Sequence, residues 1–160
     1  NREYIMPIDL DGYDRRILSI LQSDSSRSNA DIASEIGLSE APCWRRVQRL
    51  KKEGFIKAQV AVLDRVKLGF NTQIFALVKL DAVGRSNVSD FAKTMNDFPE
   101  VLECFVMMGS SDFMLRIVTR DIEAYEHFFF TKLSQVPGVQ DINSMVALSE
   151  IKSTAELPIS

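Results

Sequence analysis

Along the first third of the chain the apolar residues recur at three- and four-residue steps, the period of a helix with one buried face. Tyr13, Ile17, Ile20 and Leu21 mark a first helix. Asp11 can accept the free N–H groups of its first turn, and Asp14 adds a favourable charge there. The pattern breaks at Ser23-Asp24-Ser25-Ser26, a turn-forming cluster. Ser28, with Asp31 three residues on, makes a capping-box-like start for a second helix carrying Ala30, Ile32, Ala33 and Ile36. Gly37 stops it. Leu38 anchors the turn, Ser39 caps a third helix over residues 40–53, and Gly54 ends that helix. Pro42 falls in the first turn, where its missing N–H costs little. Only Gly37, Leu38 and Ser39 separate the second and third helices, the spacing of a helix-turn-helix.

Projected at about 100° per residue, Cys43, Val47 and Leu50 fall within about 60° of one another and must face a core. Ala41, Arg45, Gln48 and Lys52 lie on the far side with Arg49 adjacent, and Trp44 and Arg46 flank them. A basic, amide-bearing outer face with a small N-terminal end suits the major groove of DNA. There Arg and Gln pair with base edges, and flanking cations meet phosphates. Trp44 has two readings: a wedge between helices, which is favoured because aromatic side chains usually bury, or a contact with sugar or a thymine methyl. Cys43 reads as packing.

Beyond the third helix the pattern alternates strands and helices. Residues 56–63 read as a strand or extended linker and 64–69 as a short turn. A strand over 73–81 follows, favoured by β-branched and aromatic content. Then come a helix over 86–97 with Val88, Phe91 and Met95, strands over 101–108 and 113–119, a helix capped by Asp121, and a last strand over 139–151. The order β-α-β-β-α-β is the split βαβ, or ferredoxin-like, plan. Five of the ten phenylalanines lie in 91–128, where the larger core belongs. Alternation in these strands is weak. Phe75 and Leu77 are apolar opposite Ile74, Ala76, Val78 and Leu80, and Phe105, Met107 and Met114 oppose Leu102/Cys104/Val106 and Phe113/Leu115/Ile117. Two helices cover only one face of such a sheet. The second apolar face calls for a second copy of the sheet, hence a homodimer.

Charge sharpens this division. Residues 1–69 hold 12 Lys/Arg against 10 Asp/Glu, net +2, and residues 70–160 hold 7 against 12, net −5. The window from Arg45 to Lys57 alone carries Arg45, Arg46, Arg49, Lys51, Lys52 and Lys57 against Glu53. One concentrated basic stretch in an acidic chain points to a polyanion. Composition, with 46% apolar and 26% charged residues, fits a folded chain. Its uncharged apolar runs are far shorter than the roughly 20 residues of a membrane helix, and no signal peptide is visible. Two isolated cysteines, Cys43 and Cys104, suggest a reducing, cytoplasmic compartment. The single histidine, His127, has no histidine or cysteine near it in sequence and reads as a helix surface residue, so neither a metal nor a cofactor is expected. No nucleotide-binding or hydrolase motif occurs.

Several strings then converge. They are Leu10-Asp11-x-x-Asp14-x-x-Ile17-Leu18, the run from Ile36 through Pro42-Cys43-Trp44-Arg45-Arg46 to Ile56, Pro99-Glu-Val, Gly109-x-x-Asp112-Phe113, Pro137-Gly-Val and Glu150-Ile-Lys. Together they resemble the leucine-responsive/asparagine-synthesis (Lrp/AsnC) family of transcription factors over about residues 9–158. The Pro42-Cys43-Trp44 form resembles a branch that includes cysteine-responsive members. Residues 1–5 precede the matching region, and Met6 is a candidate native start.

The resemblance implies an α+β chain: an N-terminal winged helix-turn-helix followed by a ferredoxin-like βαββαβ regulatory domain. The divisions expected are 9–57 for DNA binding, 58–70 as linker, 71–152 for assembly and amino-acid response, and 153–160 as a tail. It also implies dimers that associate into tetramers or octamers, and an amino-acid effector bound between regulatory domains of neighbouring dimers. Carried over by position, the effector set is Val106, Gly109, Ser110, Ser111, Asp112, Phe113, Ile122, Met145, Val146 and Ala147. The loop N–H groups would meet a carboxylate and Asp112 an ammonium, unless Asp112 merely pins its hairpin. The family commonly carries an acidic residue after the loop glycine, where this chain has Ser110. The DNA-contacting set is Ser28, Ser39, Glu40, Ala41, Trp44, Arg45, Gln48, Arg49 and Lys52. The expected function is a non-enzymatic, sequence-specific regulator acting on double-stranded DNA, tuned by a small effector. The alternative is a small-molecule-binding assembly module without specific DNA binding.

Overall fold

The computed structural model describes residues 10–159; the suggested start at Met6 lies outside them. The chain divides into two compact units. One runs to Val62 and takes in the chain from Lys152 onward, and the other is Leu63–Ile151.

The first unit contains α1 (Gly12–Ser23), α2 (Asn29–Ile36) and α3 (Glu40–Lys52). Asp11 and Asp14 form a full capping box on α1, as do Ser28 and Asp31 on α2. Gly37 ends α2 at φ +76°, a left-handed conformation that glycine adopts without steric cost. Ser39 occupies the N-cap of α3, but its side chain makes no capping bond, contrary to the sequence expectation. Ile17, Ile32, Ala33, Ile36, Cys43, Val47 and Leu50 close the core, with Leu10, Leu18, Ile20, Leu21, Leu38 and Ile56 around them. At roughly 1.5–3 kcal/mol for each large apolar side chain removed from water, this small cluster dominates the stability of the unit. Arg16 donates to the carbonyls of Glu35 (3.0 Å) and Ile36 (3.5 Å), satisfying the end of α2. The segment 57–64 has no regular secondary structure and joins no strand, so of the two alternatives for 56–63 the linker is the one found. The last residues return to this unit: Gln22 donates to the Leu157 carbonyl (2.9 Å) and accepts its N–H (2.8 Å).

The second unit is a four-stranded antiparallel sheet in the order β2-β3-β1-β4, built from β1 (Thr72–Leu80), β2 (Val101–Val106), β3 (Phe113–Thr119) and β4 (Val139–Val146). It carries α4 (Ala82–Ser86), α5 (Val88–Asp97) and α6 (Ile122–Thr131). This is the ferredoxin-like arrangement. Three elements differ from the sequence reading, the first being β2, which ends at Val106 rather than 108. The stretch read as one helix from residue 86 is preceded by the separate short helix α4, which Asp81 caps through the Gly84 N–H (2.7 Å). The last strand stops at Val146 rather than 151. A Cβ built on Gly84 would stand 2.5 Å from the Gly138 carbonyl oxygen, so α4 crosses the turn before β4 at backbone contact. Only glycine permits that approach.

Ile74, Ala76 and Val78 on β1 pair in register with Ile117, Leu115 and Phe113 on β3, Leu80 pairs with Val139 on β4, and their side chains form the helix-covered core with Phe91, Met95 and Phe128. Phe91 and Phe113 stack with centroids 4.4 Å apart. The opposite face carries no helix from this unit. One row across it reads Phe105, Met114, Leu77, Asn143, and the next reads Glu103, Arg116, Phe75, Met145. Arg116 and Glu103 form a paired fork at 2.9 and 3.0 Å. The second apolar face inferred from the weak alternation is therefore present. Leu102 departs from that inference: it falls where the β2–β3 register shifts, outside the regular alternation.

Candidate nucleic-acid interface and effector corners

The exposed side of α3 is set by what the other side must bury. Cys43, Val47 and Leu50 are 0%, 4% and 0% exposed, and burial pushes the Cys43 thiol pKa up, consistent with packing rather than reactivity. All nine residues of the DNA-contacting set, Ser28, Ser39, Glu40, Ala41, Trp44, Arg45, Gln48, Arg49 and Lys52, are exposed in the single chain. Trp44 is 50% exposed, so the favoured reading of it as a wedge between helices is corrected: its place on the flank of α3 turns it away from the three-helix core.

The cations of α3 differ in their surroundings. Arg46 reaches Asp11 (2.6 Å) and Asp14 (2.9 Å), and its guanidinium lies over the Tyr13 ring at 5.4 Å. Arg49 pairs with Asp14 and lies 3.8 Å from Glu53. Asp14 is 1% exposed. The side chain of Arg45 makes no ion pair or hydrogen bond among the described residues. Asp11, Pro42, Arg45, Arg46 and Arg49 line a depression of about 370 Å³ beside α3. The Asp14 clamp was missed in the sequence, where Asp14 read as a helix-start charge. The signal was available as two matched ladders, Asp11/Asp14 and Arg46/Arg49, each with members three residues apart.

The effector set does not gather at one place in the chain. Val106 ends β2, and Gly109, Ser110, Ser111 and Asp112 form the hairpin loop beside it, next to the Val78 end of β1. Met145, Val146 and Ala147 lie at the other edge of the sheet, by the Ile74 end of β1, and Ile122 opens α6 after β3 has returned to that end. The two groups are three strand spacings apart, about 14 Å, and about four residues apart along the strands, about 13 Å. No single amino acid spans that diagonal. Both corners are apolar and uncovered: Val106 is 76% exposed, Ile122 49% and Val146 47%.

Details within each corner bear on chemistry. Gly109 has φ +148°, a conformation that L side chains rarely adopt. Phe113 is 2% exposed and stacked in the core, so its side chain is withdrawn from the proposed pocket. Asp112 donates its N–H to the Val78 carbonyl (2.9 Å) and accepts the Leu80 N–H on Oδ2 (2.7 Å), with Arg85 at 3.7 Å. Of the two roles open to it, this geometry is that of the hairpin pin. At the other corner, Ile122, Tyr125, Glu126, Phe129, Phe130 and Ser144 line a depression of about 350 Å³. There the Tyr125 hydroxyl meets Ser144 at 2.5 Å, and burial raises the Tyr125 pKa. His127 is exposed on α6. No helix among the described residues is long and apolar enough to cross a membrane.

Comparison with known proteins agrees with this architecture. A winged helix-turn-helix DNA-binding profile matches residues 10–57, and the Lrp/AsnC ligand binding domain profile matches residues 73–157. The transcriptional regulator AzlB of Bacillus subtilis is 37% identical over 96% of this chain and 98% of its own length. A Neisseria meningitidis transcriptional regulator solved as an L-Met complex superposes with a TM-score of 0.89 at 33% identity, over 94% of this chain and 97% of that one. An AsnC family regulator from Agrobacterium tumefaciens gives 0.87 at 38% identity, over 92% and 96%.

Asp11 supplies a test of the clamp by pH. Its carboxyl is held below the ordinary 3.8, chiefly by the Asp14 N–H and also by Arg46. A carboxylate depressed in the folded state contributes stability above its unfolded pKa and loses it as pH falls through the lower folded value. The melting temperature of the first unit should therefore fall as pH drops below 3.8. Asp11→Asn, which can still cap α1, should show a flatter acid limb. Superimposable acid limbs for the two proteins would remove Asp11 from the clamp.

Proposed function

Since the chain belongs to the Lrp/AsnC family of transcriptional regulators, we propose that it recognises a specific DNA sequence through α3 and that an amino acid tunes its assembly and activity. The exposed face of α3 carries the first half of this reading. Arg45, Gln48 and Lys52 project opposite the buried Cys43, Val47 and Leu50, on a single helix of the kind that a major groove admits. Ser28, Ser39, Glu40, Ala41 and Trp44 border that face, and Arg49 reaches DNA only by releasing Asp14. Assembly alone would leave this exposed cationic and amide face without a purpose. The family and fold are regulatory rather than catalytic.

The second half rests on the open surfaces of the sheet. A patch of Phe75, Leu77, Phe105, Met114 and Met145 on the helix-free face is suited to a second copy of the same face, forming a dimer. The two effector corners lie on a diagonal that one ligand cannot bridge, so a composite site takes one corner from each of two copies. Such a site forms only in assemblies that bring unlike corners together, as in associated dimers. In it, the loop of Gly109, Ser110 and Ser111, held in place by Asp112, would receive a carboxylate. Val106 of one copy would lie with Ile122, Val146 and Ala147 of the other around the side chain. That the similar Neisseria regulator was solved with L-Met supports an amino acid as effector. The two free cysteines suit a reducing, cytoplasmic setting.

Three outcomes follow. Arg45→Ala should fold normally and bind its operator more weakly by about 1–3 kcal/mol; unchanged affinity would remove Arg45 from base reading. Leu77→Asp, which places a charge in the middle of the apolar patch, should sediment as a monomer at micromolar concentration while the native chain sediments as a dimer or larger. A Leu77→Asp protein that stays dimeric would show that this face is not the interface. For the composite site, a thermal-shift screen of the twenty amino acids first identifies a ligand that raises the melting temperature. Val106→Lys and Val146→Lys should each abolish that shift, and mixed oligomers of the two should regain part of it, because one junction in the mixture pairs two intact corners. No recovery on mixing would place the site within a single copy.

A further inference from the structure

The six cations between Arg45 and Lys57 are not equally available to a polyanion. The side chains of Arg45, Lys51, Lys52 and Lys57 make no ion pair among the described residues. Arg46 and Arg49 do, and their partners come from α1. Asp14 uses both carboxylate oxygens, Oδ1 on Arg46 at 2.9 Å and Oδ2 on Arg49, and Oδ2 also accepts the Asp11 N–H at 3.3 Å. Asp11 adds its Oδ2 to Arg46 at 2.6 Å while its Oδ1 holds the Asp14 N–H at 2.9 Å. Glu53 stands 3.8 Å from Arg49 Nε. A carboxylate that accepts from two guanidinium groups does for them what a DNA phosphate would do. The arginines are not sealed off, however. Their side chains are 28% and 42% exposed, and they line the depression beside α3 together with the unpaired Arg45.

We propose that Asp14, aided by Asp11, is a positioning residue that withholds Arg46 and Arg49 from DNA phosphates, limiting the backbone contacts of α3 and so restraining non-specific binding. The inference rests on the DNA-binding reading and deepens it. Non-specific affinity grows with the number of phosphates neutralised, and each contact steepens the dependence of log K on log salt by about 0.9. Base reading does not scale in this way. A protein that keeps two of its recognition-helix arginines on its own carboxylates lowers the first quantity and leaves the second to Arg45 and Gln48. The ratio of specific to non-specific binding rises.

The test is the salt slope of full-length protein on a random-sequence duplex. Asp14→Asn should steepen it by about 0.9–1.8, one to two further phosphate contacts per bound copy, and should raise low-salt affinity about tenfold. Arg49→Ala should hardly change the slope in the native background and should remove about one contact in the Asp14→Asn background. A purely structural role for Asp14 does not produce that non-additivity. If Asp14→Asn fails to fold, Asp11→Asn carries the test, since Asn caps a helix as well as Asp. It frees Arg46 in part and should steepen the slope by up to about 0.9. An unchanged slope in a cooperatively melting variant overturns the proposal. A shallower slope also overturns it, because the arginines would then already bind phosphate in the native protein and Asp14 would serve to aim them. A native protein with no salt-dependent binding to any duplex would defeat the DNA-binding reading itself, before any variant is compared.

Discussion

A four-stranded sheet has two faces and four corners, and this fold supplies helices for the middle of one face. The second unit follows from that shortage. Ile74, Ala76, Val78, Leu115 and Ile117 are fully buried because α5 and α6 lie over β1 and β3. Val106, at the free end of edge strand β2, and Val146, at the free end of edge strand β4, point to the same side and remain 76% and 47% exposed. The other face is apolar at Phe75, Leu77, Phe105 and Met114 and carries no helix of this unit. At roughly 25 cal/mol per Å² of apolar surface, leaving three such regions in water forgoes several kcal/mol that association can recover. Folding of a single copy is thus complete in its core and incomplete at its surface.

The first unit solves a different problem. A helix that must read DNA has to bury one face firmly while keeping a cationic face in water, and repulsion among its cations works against folding. The core face needs only Cys43, Val47 and Leu50. The repulsion is relieved from α1, whose Asp11 and Asp14 sit opposite Arg46 and Arg49. The same pairing ties the first helix to the third across the small core. Because both arginines remain partly in solvent, the clamp contributes far less than a fully desolvated ion pair. Its value lies more in fixing the rotamers of two long side chains than in raw stability.

Much of this was legible in the chain. Helical spacing placed α1, α2 and α3 and their buried faces, and β-branched content with the Gly109-to-Asp112 loop placed β1, β2 and β3. Weak alternation correctly announced the second apolar face. What escaped has specific physical causes. Helix α4 is five residues long and depends on the Gly84–Gly138 crossing, a contact between segments more than fifty residues apart. The end of β4 is set by where β1 offers partners, not by the apolar residues that run on to Ile151. The general tendency of aromatic side chains points Trp44 to packing, whereas its position on the helix flank decides its exposure. Asp14 is legible as a helix-start charge but not as the partner of Arg46 and Arg49, and the two roles open to Asp112 are separated only by the structure. A carboxylate's partner is a property of the tertiary structure: one clamps a distant helix and the other accepts a β1 N–H.

The corners and the clamp together bear on how a small ligand could control DNA binding in such a chain. An effector that contacts only one copy would bind every assembly alike and shift nothing, however tightly it bound. A site divided between unlike corners escapes that limit, because its contacts exist only in assemblies that join them, so occupancy and assembly are linked reciprocally. The DNA-reading face need not change shape for the effect to reach it. The number of α3 helices presented together, and their spacing, follow from the assembly, and each copy contributes a salt-dependent term set by the cations its own carboxylates leave free. Regulation by assembly therefore favours weak backbone contact per copy. If each copy bound phosphates with all six cations, a single dimer would hold non-specific DNA too well for its oligomeric state to matter. If Asp14 restrains Arg46 and Arg49 as proposed, that restraint and the open corners at Val106 and Val146 act in one direction, since each would make tight binding depend on neighbouring copies.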